Sequence, residues 1–114
     1  MSDKRPSKLA ALKTRATVFA ALGDETRLAV LGKLLSGEPQ SIGRLTEGTH
    51  LTRQAVTKHL RVLEDAGVVR SKRVGRQALF ELQPRPIDDA RAYLDRIARQ
   101  WDDALNRLKS FVED

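Results

Sequence analysis

The sequence contains no cysteine, and this absence excludes disulfide bonds, thiolate metal ligands and thiol nucleophiles. Histidine is scarce as well, with only two residues in the chain, and no serine-nucleophile motif accompanies them. The adjacent acids Asp88-Asp89 and Asp102-Asp103 point about 100° apart on a helix, so neither pair converges on one ion or one reacting group. We therefore predict that the protein is not an enzyme, holds no metal and uses no cofactor.

Long apolar runs are also missing, so no segment is expected to span a membrane. The N-terminal stretch begins basic, and Lys13 and Arg15 interrupt its apolar positions, whereas a signal peptide has a continuous apolar stretch. A chain of 114 residues with 40% hydrophobic residues is long enough for one small domain. These observations predict a single cytoplasmic domain with no membrane partner.

The positive charge is distributed unevenly along the chain. The formal net charge is +6, and residues 1–23 and 49–83 carry +4 each, whereas residues 24–48 and 84–114 carry −1 each. Charge spread evenly would indicate solubility alone. Charge concentrated in an N-terminal arm and one central block favours a surface that binds a polyanion.

Two helices are predicted in the first third of the chain. The first spans about residues 8–22, where apolar residues recur at spacings of three and four, and Gly23 ends it. Asp24 is typical of an N-cap, and the second helix runs from there to residues 36–37. Its leucines are predicted to lie along one side of the helix, and they are Leu28, Leu31, Leu34 and Leu35.

A helix-turn-helix is predicted over residues 41–67. Ser41 is expected to cap a short third helix, Gly48 to form the turn, and Thr52 to cap a fourth helix that Gly67 ends. The fourth helix combines an inward apolar stripe with a polar outer face. The stripe consists of Val56, Leu60 and Leu63, and the outer face consists of Arg53, Gln54, Thr57, Lys58 and Arg61.

Residues 68–82 are predicted to form a β-hairpin wing, because β-branched and apolar residues lie on both sides of Gly75 and Arg76. Its tip is basic and carries Arg70, Lys72, Arg73 and Arg76. Charged side chains at a sheet edge also block pairing with other sheets, and the two roles are compatible. Four cations around one turn favour a wing that grips phosphates, with Arg76 at a minor groove.

The last helix is predicted over residues 86–112, with Pro86 at its start and Asp88 and Asp89 in its first turn. A helix about 35–40 Å long exceeds what so small a core needs, so we expect it to pack against a second copy of the chain. Trp101 is expected to lie in that seam, and a small ligand pocket beside Tyr93 is the alternative. The recurring apolar positions are Ile87, Ala90, Leu94, Ile97, Trp101, Ala104, Leu108 and Phe111.

Three segments resemble the motifs of ArsR-type winged-helix regulators. They are ALGDETRLAVLGKLL (residues 21–35), HLTRQAVTKHLRVLEDAGVV (residues 50–69) and VGRQALFEL (residues 74–82), and the resemblance covers about residues 17–83. It implies a winged helix-turn-helix fold that is mainly α, with a small β-hairpin wing and long N- and C-terminal dimerisation helices. It also implies a homodimeric transcriptional repressor whose fourth helix enters the major groove of double-stranded DNA at an imperfect palindromic operator.

The helix-turn-helix, the wing and the resemblance together give the predicted interfaces. The DNA-binding residues are Ser41, Thr52, Arg53, Gln54, Thr57, Lys58, His59, Arg61, Lys72, Arg73 and Arg76. The dimer-interface residues are Leu12, Phe19, Leu94, Ile97, Trp101, Leu105 and Leu108. Residues 1–7 form a basic N-terminal arm whose order is left open, and residues 8–114 form the single winged-helix domain.

Three alternatives stay open at this point. The metal sensors of the family use cysteines, or paired histidines on the last helix, and this chain has neither; metal-dependent regulation would need other ligands, and any inducer is unidentified. His59 fits a packed residue as well as a DNA contact. A protein of another class, a winged-helix association module that binds nucleic acid only non-specifically, would be indifferent to Gln54→Ala and Thr57→Ala, whereas a sequence-reading repressor would lose specific binding.

Overall fold

The computed structural model describes residues 7–113, and the first six residues of the predicted N-terminal arm lie outside that range. Residues 7–113 form a mainly α-helical fold with one small sheet, as predicted. The elements are α1 (Lys8–Leu22), α2 (Glu25–Leu34), β1 (Gln40–Ser41), α3 (Ile42–Thr46), α4 (Arg53–Asp65), β2 (Val69–Val74), β3 (Gln77–Leu82) and α5 (Pro84–Glu113).

The hydrophobic core lies where α4 packs against α1, α2, α3 and the base of the sheet. The inward stripe of α4, Val56, Leu60 and Leu63, is completely buried, as its four- and three-residue spacing predicted. Leu34 from α2 and Leu45 from α3 are equally buried beside it. Since α4 supplies the centre of this core, its outer face has a fixed orientation relative to the rest of the domain.

The four leucines predicted along one side of α2 do lie on one side, but only two of them are buried. Leu31 and Leu34 are buried, but Leu28 and Leu35 are exposed, and Val30 takes their place in the core. Residues 28 and 35 differ by seven positions and lie together on the helix, about 40–60° beyond Leu31 on the side away from Val30. Leucine spacing alone fits two overlapping faces of this helix, and packing against α4 selects the one that includes Val30.

The junction between α1 and α2 explains the Gly-Asp-x-Thr-Arg run of the first motif. Gly23 ends α1, and the Asp24 carboxylate caps α2 by accepting the backbone N–H of Arg27 at 3.0 Å. That hydrogen bond is the main reason why the pKa of Asp24 lies below its ordinary value. The Arg27 guanidinium donates back to the carbonyl oxygens of Ala20 and Ala21 at the end of α1. The run therefore closes one helix and opens the next.

The sheet has three strands in the order β1-β3-β2, whereas the sequence predicts only the two strands of the wing. In β1, Gln40 pairs with Phe80 and Ser41 with Leu79 of β3, in antiparallel register. The strand has two residues, which is too short to produce an alternating pattern. Because β1 leads directly into α3, backbone hydrogen bonds join the wing to the start of the helix-turn-helix.

The last helix begins at Pro84, two residues before the predicted Pro86. Either proline suits a first turn, where no backbone N–H is needed. Because of the earlier start, Asp88 and Asp89 lie beyond the first turn, so their predicted place in that turn is wrong. Asp89 instead accepts a hydrogen bond from Arg15 of α1 at 3.1 Å. Among residues 7–113, no helix combines the length and hydropathy that crossing a membrane requires.

Candidate nucleic-acid interface

The outer face of α4 is polar, exposed and basic. Thr52 caps the helix by accepting the backbone N–H of Ala55 at 3.1 Å, as predicted. The outer face begins at the next residue, and its side chains line a shallow groove together with Ile42 of α3. The members of this face are Arg53, Gln54, Thr57, Lys58 and Arg61. Within residues 7–113, no carboxylate lies within 4.0 Å of its three cations.

The groups on this face match the edges of base pairs. Gln54 carries an amide that can donate to and accept from adenine together, and Lys58 and Arg61 can donate to guanine or to phosphate. The Thr57 hydroxyl donates to the carbonyl oxygen of Arg53 at 2.7 Å. This hydrogen bond holds the Thr57 side chain in one rotamer and leaves its methyl group and an oxygen lone pair for a ligand.

Arg53 occupies a different place from the rest of the α4 face. Its Nη2 atom lies 2.9 Å from the point where a Cβ on Gly43 would stand, so the guanidinium rests on the first turn of α3. The same side chain lines a second hollow together with Ser41, Gln77 and Ala78. Arg53 therefore fills the corner between the helix-turn-helix and the wing, and the absence of a side chain at Gly43 makes room for it.

Ser41 and Thr52 both act as helix caps. The Ser41 hydroxyl accepts the backbone N–H of Arg44 at 3.2 Å, as Thr52 does at the start of α4. A hydroxyl that accepts through its oxygen still has its own proton to donate. Each residue thus lies at a helix N-terminus, where backbone amides and the helix dipole favour an anion such as a phosphate.

The wing ends in a tight two-residue turn. Val74 pairs with Gln77 on either side of Gly75 and Arg76, and Gly75 alone of the two has a positive φ, +63°. This pattern fits a type II′ turn, which needs a glycine at its first central position. Arg73 and Arg76 are exposed at this tip, and no carboxylate of residues 7–113 lies within 4.0 Å of either.

Lys72 differs from the two tip arginines because it has an acidic partner. Its Nζ lies 3.6 Å from Glu81, which also accepts a 2.7 Å hydrogen bond from Arg70 on the paired strand. The hydrogen bond from Arg70 is the main cause of the lowered pKa of Glu81. Lys72 therefore offers less uncompensated charge to a polyanion than Arg73 or Arg76.

Two positioning residues were missed by the sequence analysis. The Glu64 carboxylate, near the end of α4, accepts hydrogen bonds from both the backbone N–H and the hydroxyl of Ser71 in β2. These hydrogen bonds hold the wing in position against α4. The Lys33 ammonium donates to the carbonyl oxygen of Leu45 at 3.1 Å and to that of Glu47, at the end of α3. A single charged residue produces no pattern in the sequence. The roles of Glu64 and Lys33 could therefore not be predicted from the sequence.

His59 lies apart from the other predicted DNA-binding residues. Its side chain is 25% exposed, and its Nδ1 is 3.8 Å from the Asp24 carboxylate at the start of α2. His59 points about 160° away from Thr57 around the axis of α4, so the two side chains cannot both face the same DNA groove. The packed alternative fits this contact, and DNA binding by His59 stays a prediction.

The predicted dimer residues are mostly exposed. Phe19 and Ile97 are half-buried, and Phe19 packs on Tyr93 with ring centroids 6.2 Å apart. The exposed members are Leu12, Leu94, Trp101, Leu105 and Leu108. On α1 and α5, the exposed large apolar residues outside the predicted interface are Leu9, Phe111 and Val112. In residues 7–113, no three histidine, aspartate or glutamate side chains are grouped so that they could hold a metal ion.

The protein is a winged helix-turn-helix protein. Its α4 is anchored in the core and presents a polar outer face, a basic hairpin lies beside α4, and the sheet joins the two. Comparison with known proteins agrees. The family model described as a helix-turn-helix domain matches residues 22–72. The chain is 40% identical over 76 residues to the uncharacterized HTH-type transcriptional regulator YuzN of Bacillus subtilis, covering 61% of this chain and 83% of YuzN.

Two further relatives extend the match over most of the chain. The HTH-type transcriptional regulator Rv2034 of Mycobacterium tuberculosis is 32% identical over 95 residues, covering 83% of this chain and 85% of Rv2034. The solved structure of an ArsR-like transcriptional regulator from Rhodococcus sp. RHA1 is 35% identical and superimposes with a TM-score of 0.77, covering 89% of this chain and 94% of the other. The chain belongs to the ArsR-type family of helix-turn-helix transcriptional regulators. It is a DNA-binding regulator and not an enzyme.

Proposed function

We propose that the protein is a homodimeric repressor that binds an imperfect palindromic operator. The observation that supports this most strongly is the outer face of α4. Its cationic side chains and Gln54 are exposed, and its cations form no ion pairs within residues 7–113. A completely buried stripe on the opposite side of the same helix holds the face in place. Such a face suits the major groove, which is wide enough to admit an α-helix.

In this proposal Gln54, Thr57, Lys58 and Arg61 contact base edges and nearby phosphates. Gln54, Thr57 and Arg61 are spaced by about one turn along α4, with Lys58 directly after Thr57, so each turn of the helix offers at least one side chain to the groove floor. Ser41 and Thr52 donate hydroxyl protons to phosphates at the two helix N-termini. Phosphate contacts fix the register of the protein on the duplex, and base contacts supply the sequence preference.

The wing contributes affinity rather than most of the sequence preference. Arg73 and Arg76 carry uncompensated charge at the tip of a tight turn. The hydrogen bonds of Glu64 to Ser71 and the pairing of β1 with β3 set the angle between the tip and α4. With α4 in the major groove, the tip reaches the neighbouring backbone, where Arg76 enters the minor groove. Arg53, in the corner between wing and helix, lies beside the phosphates that pass between the two elements.

Dimerisation is supported by the exposed apolar residues of α1 and α5. Leu12, Leu94, Leu105 and Leu108 are all about half-exposed or more, and Trp101 is 64% exposed. A second copy removes this surface from water. A two-fold dimer presents two copies of α4 to successive major grooves, so the half-sites lie about one helical turn, roughly 34–36 Å, apart. Repression then follows by steric exclusion wherever the operator overlaps a promoter.

Specificity is tested with Gln54→Ala and Thr57→Ala in a binding assay on the DNA upstream of the protein's own gene and on unrelated DNA. The wild type is expected to prefer the upstream fragment, and each variant to lose about 1–3 kcal/mol of that preference while its non-specific binding stays unchanged. Thr14→Ala, an uncharged change at an exposed position of α1, is the control and should behave as wild type. Equal preference in all four proteins would contradict the proposal and favour the association module.

A further inference from the structure

A cleft lies between α1 and α5, and among residues 7–113 its lining includes none of the predicted DNA-binding residues. Arg15 of α1 donates to Asp89 of α5 at 3.1 Å, and Phe19 packs on Tyr93. Beyond these contacts, towards the start of α1, the space between the two helices is about 490 Å³. Sites that bind small molecules have volumes of about 300–1,000 Å³. The cleft is therefore large enough for a small organic ligand.

The cleft combines apolar and cationic side chains. Leu12 and Ile97 supply apolar surface from the two helices. All the charged residues that line the cleft within residues 7–113 are cations, and they are Lys8, Arg15 and Arg96. A cleft lined by charges of one sign concentrates ligands of the opposite sign. The lining therefore favours an anion that also carries an apolar body.

Two guanidinium groups meet at the Tyr93 ring. The Cζ atom of Arg15 lies 5.0 Å from the ring centroid, and that of Arg96 lies 5.7 Å from it. The Arg15 side chain is only 21% exposed, and Asp89 orients it by accepting from Nε, which leaves both Nη groups as donors. No carboxylate of residues 7–113 lies within 4.0 Å of Arg96. Both guanidiniums can therefore donate to one anionic group beside the ring.

The cationic side of the cleft points away from the apolar stripe of α5. At 100° per residue, Arg96 and Gln100 point about 140° and 100° away from Trp101 around the axis of α5. Leu12 and Ile97, which are also predicted dimer residues, lie on the side of the cleft nearer to that stripe. A second copy packed against Trp101 therefore leaves the edge formed by Arg96 and Gln100 open to solvent.

We propose that this cleft binds a small aromatic carboxylate. The carboxylate lies between the Arg15 and Arg96 guanidiniums, whose planar forks match its geometry. The aromatic ring of the ligand packs on Tyr93 and on the apolar side chain of Ile97. Lys8, in the first turn of α1, adds a third positive charge at the cleft. This site goes beyond DNA binding, because it gives the regulator a place for a small-molecule signal.

The chain has a single tyrosine, Tyr93, so its ring resonances in NMR spectra of the full-length protein report on the cleft directly. The probe is 2-naphthoate, and 2-naphthamide, which has the same rings without the charge, is its neutral counterpart. Titration with 2-naphthoate at constant ionic strength is expected to shift the Tyr93 resonances. The naphthamide is expected to bind at least about tenfold more weakly, because it cannot form charge-assisted hydrogen bonds with the guanidiniums.

Two matched variants assign the binding to the cleft. Arg96→Gln removes one guanidinium at an exposed position of α5, and it is expected to lower the affinity for 2-naphthoate about tenfold while the affinity for 2-naphthamide stays unchanged. Arg91→Gln removes the same charge from an exposed position of α5 outside the cleft lining, and it should bind both compounds as wild type does. Urea midpoints equal to that of the wild type show that both variants are folded.

Four results would overturn the site. Tyr93 resonances that 2-naphthoate leaves unchanged would show that the cleft does not bind it. Equal affinity for the two naphthyl compounds would show apolar contact alone, and equal losses in Arg91→Gln and Arg96→Gln would show only the general attraction of a basic protein for anions. An equal shift with inorganic phosphate would show a site for any anion. None of these measurements includes DNA, so their outcome is independent of the proposed repressor function.

Discussion

Replacement of Arg76 by alanine is predicted to weaken DNA binding and to make that binding less dependent on salt concentration. The guanidinium lies at the tip of the wing, in a turn fixed by the positive φ of Gly75, and has no carboxylate partner within residues 7–113. Its charge is therefore available to DNA. A dimer carries two copies, so Arg76→Ala removes two cations from the interface.

The expected size of the effect follows from counterion release. Each cation that neutralises a phosphate contributes about 0.9 to the slope of log affinity against log salt. Loss of two cations should make that slope shallower by about 1.8. Between about 50 and 200 mM salt, the advantage of the wild type over Arg76→Ala should therefore shrink by roughly twelvefold.

Fluorescence anisotropy with a labelled operator duplex, titrated at several salt concentrations, measures both slopes. Arg99→Ala is a matched control, because it removes the same charge from an exposed position of α5, outside the helix-turn-helix and the wing. Its slope should equal that of the wild type. Equal slopes for Arg76→Ala and the wild type, or equal losses for Arg76→Ala and Arg99→Ala, would refute the assignment of the wing tip to DNA.

Three further predictions concern the residues that position the site. Glu64→Gln, which weakens the hydrogen bonds to Ser71, should lower operator affinity severalfold, and denaturant unfolding should show a stability within about 1 kcal/mol of wild type; unchanged affinity would show that the wing needs no such tie. Gly43→Ala should displace the Arg53 guanidinium, whose Nη2 would lie 2.9 Å from the new Cβ, and anisotropy should show weaker DNA binding with an unchanged unfolding midpoint, whereas full affinity would contradict a role for Arg53. The capping hydrogen bond lowers the pKa of Asp24, so the stability it contributes is present above the ordinary aspartate pKa and is lost as the pH falls through the folded-state pKa. Urea midpoints of wild type and Asp24→Asn should therefore converge as the pH falls, and a constant difference would contradict this account.

The sequence predicts best those features that arise from local patterns. The caps at Asp24, Ser41 and Thr52 are where residue type placed them, because short polar side chains satisfy the free amides of a helix start. The buried stripe of α4 follows from strong periodicity, since every third or fourth residue is apolar and the remainder are mostly polar. The wing follows from its glycine turn between two β-branched segments.

Features that depend on tertiary contacts were harder to predict. The strand β1 forms because β3 lies beside Gln40. A strand of two residues is too short to give a sequence pattern. Leu28 and Leu35 were predicted to share one side of α2 with Leu31 and Leu34, but which part of that side is buried depends on how α4 packs. His59 is similar, since its neighbour Asp24 is 35 residues away in the chain and comes within 3.8 Å only in the folded domain.

The central claim, that the protein reads DNA sequence as a two-fold dimer, is tested most directly by selection from a pool of random duplexes with the full-length protein. We predict that the enriched sequences contain two inverted copies of one short motif, with centres about 10–10.5 base pairs apart. The motif should degrade when Gln54→Ala replaces the wild type. Enrichment of no motif at all, or of a single unpaired motif, would contradict the account.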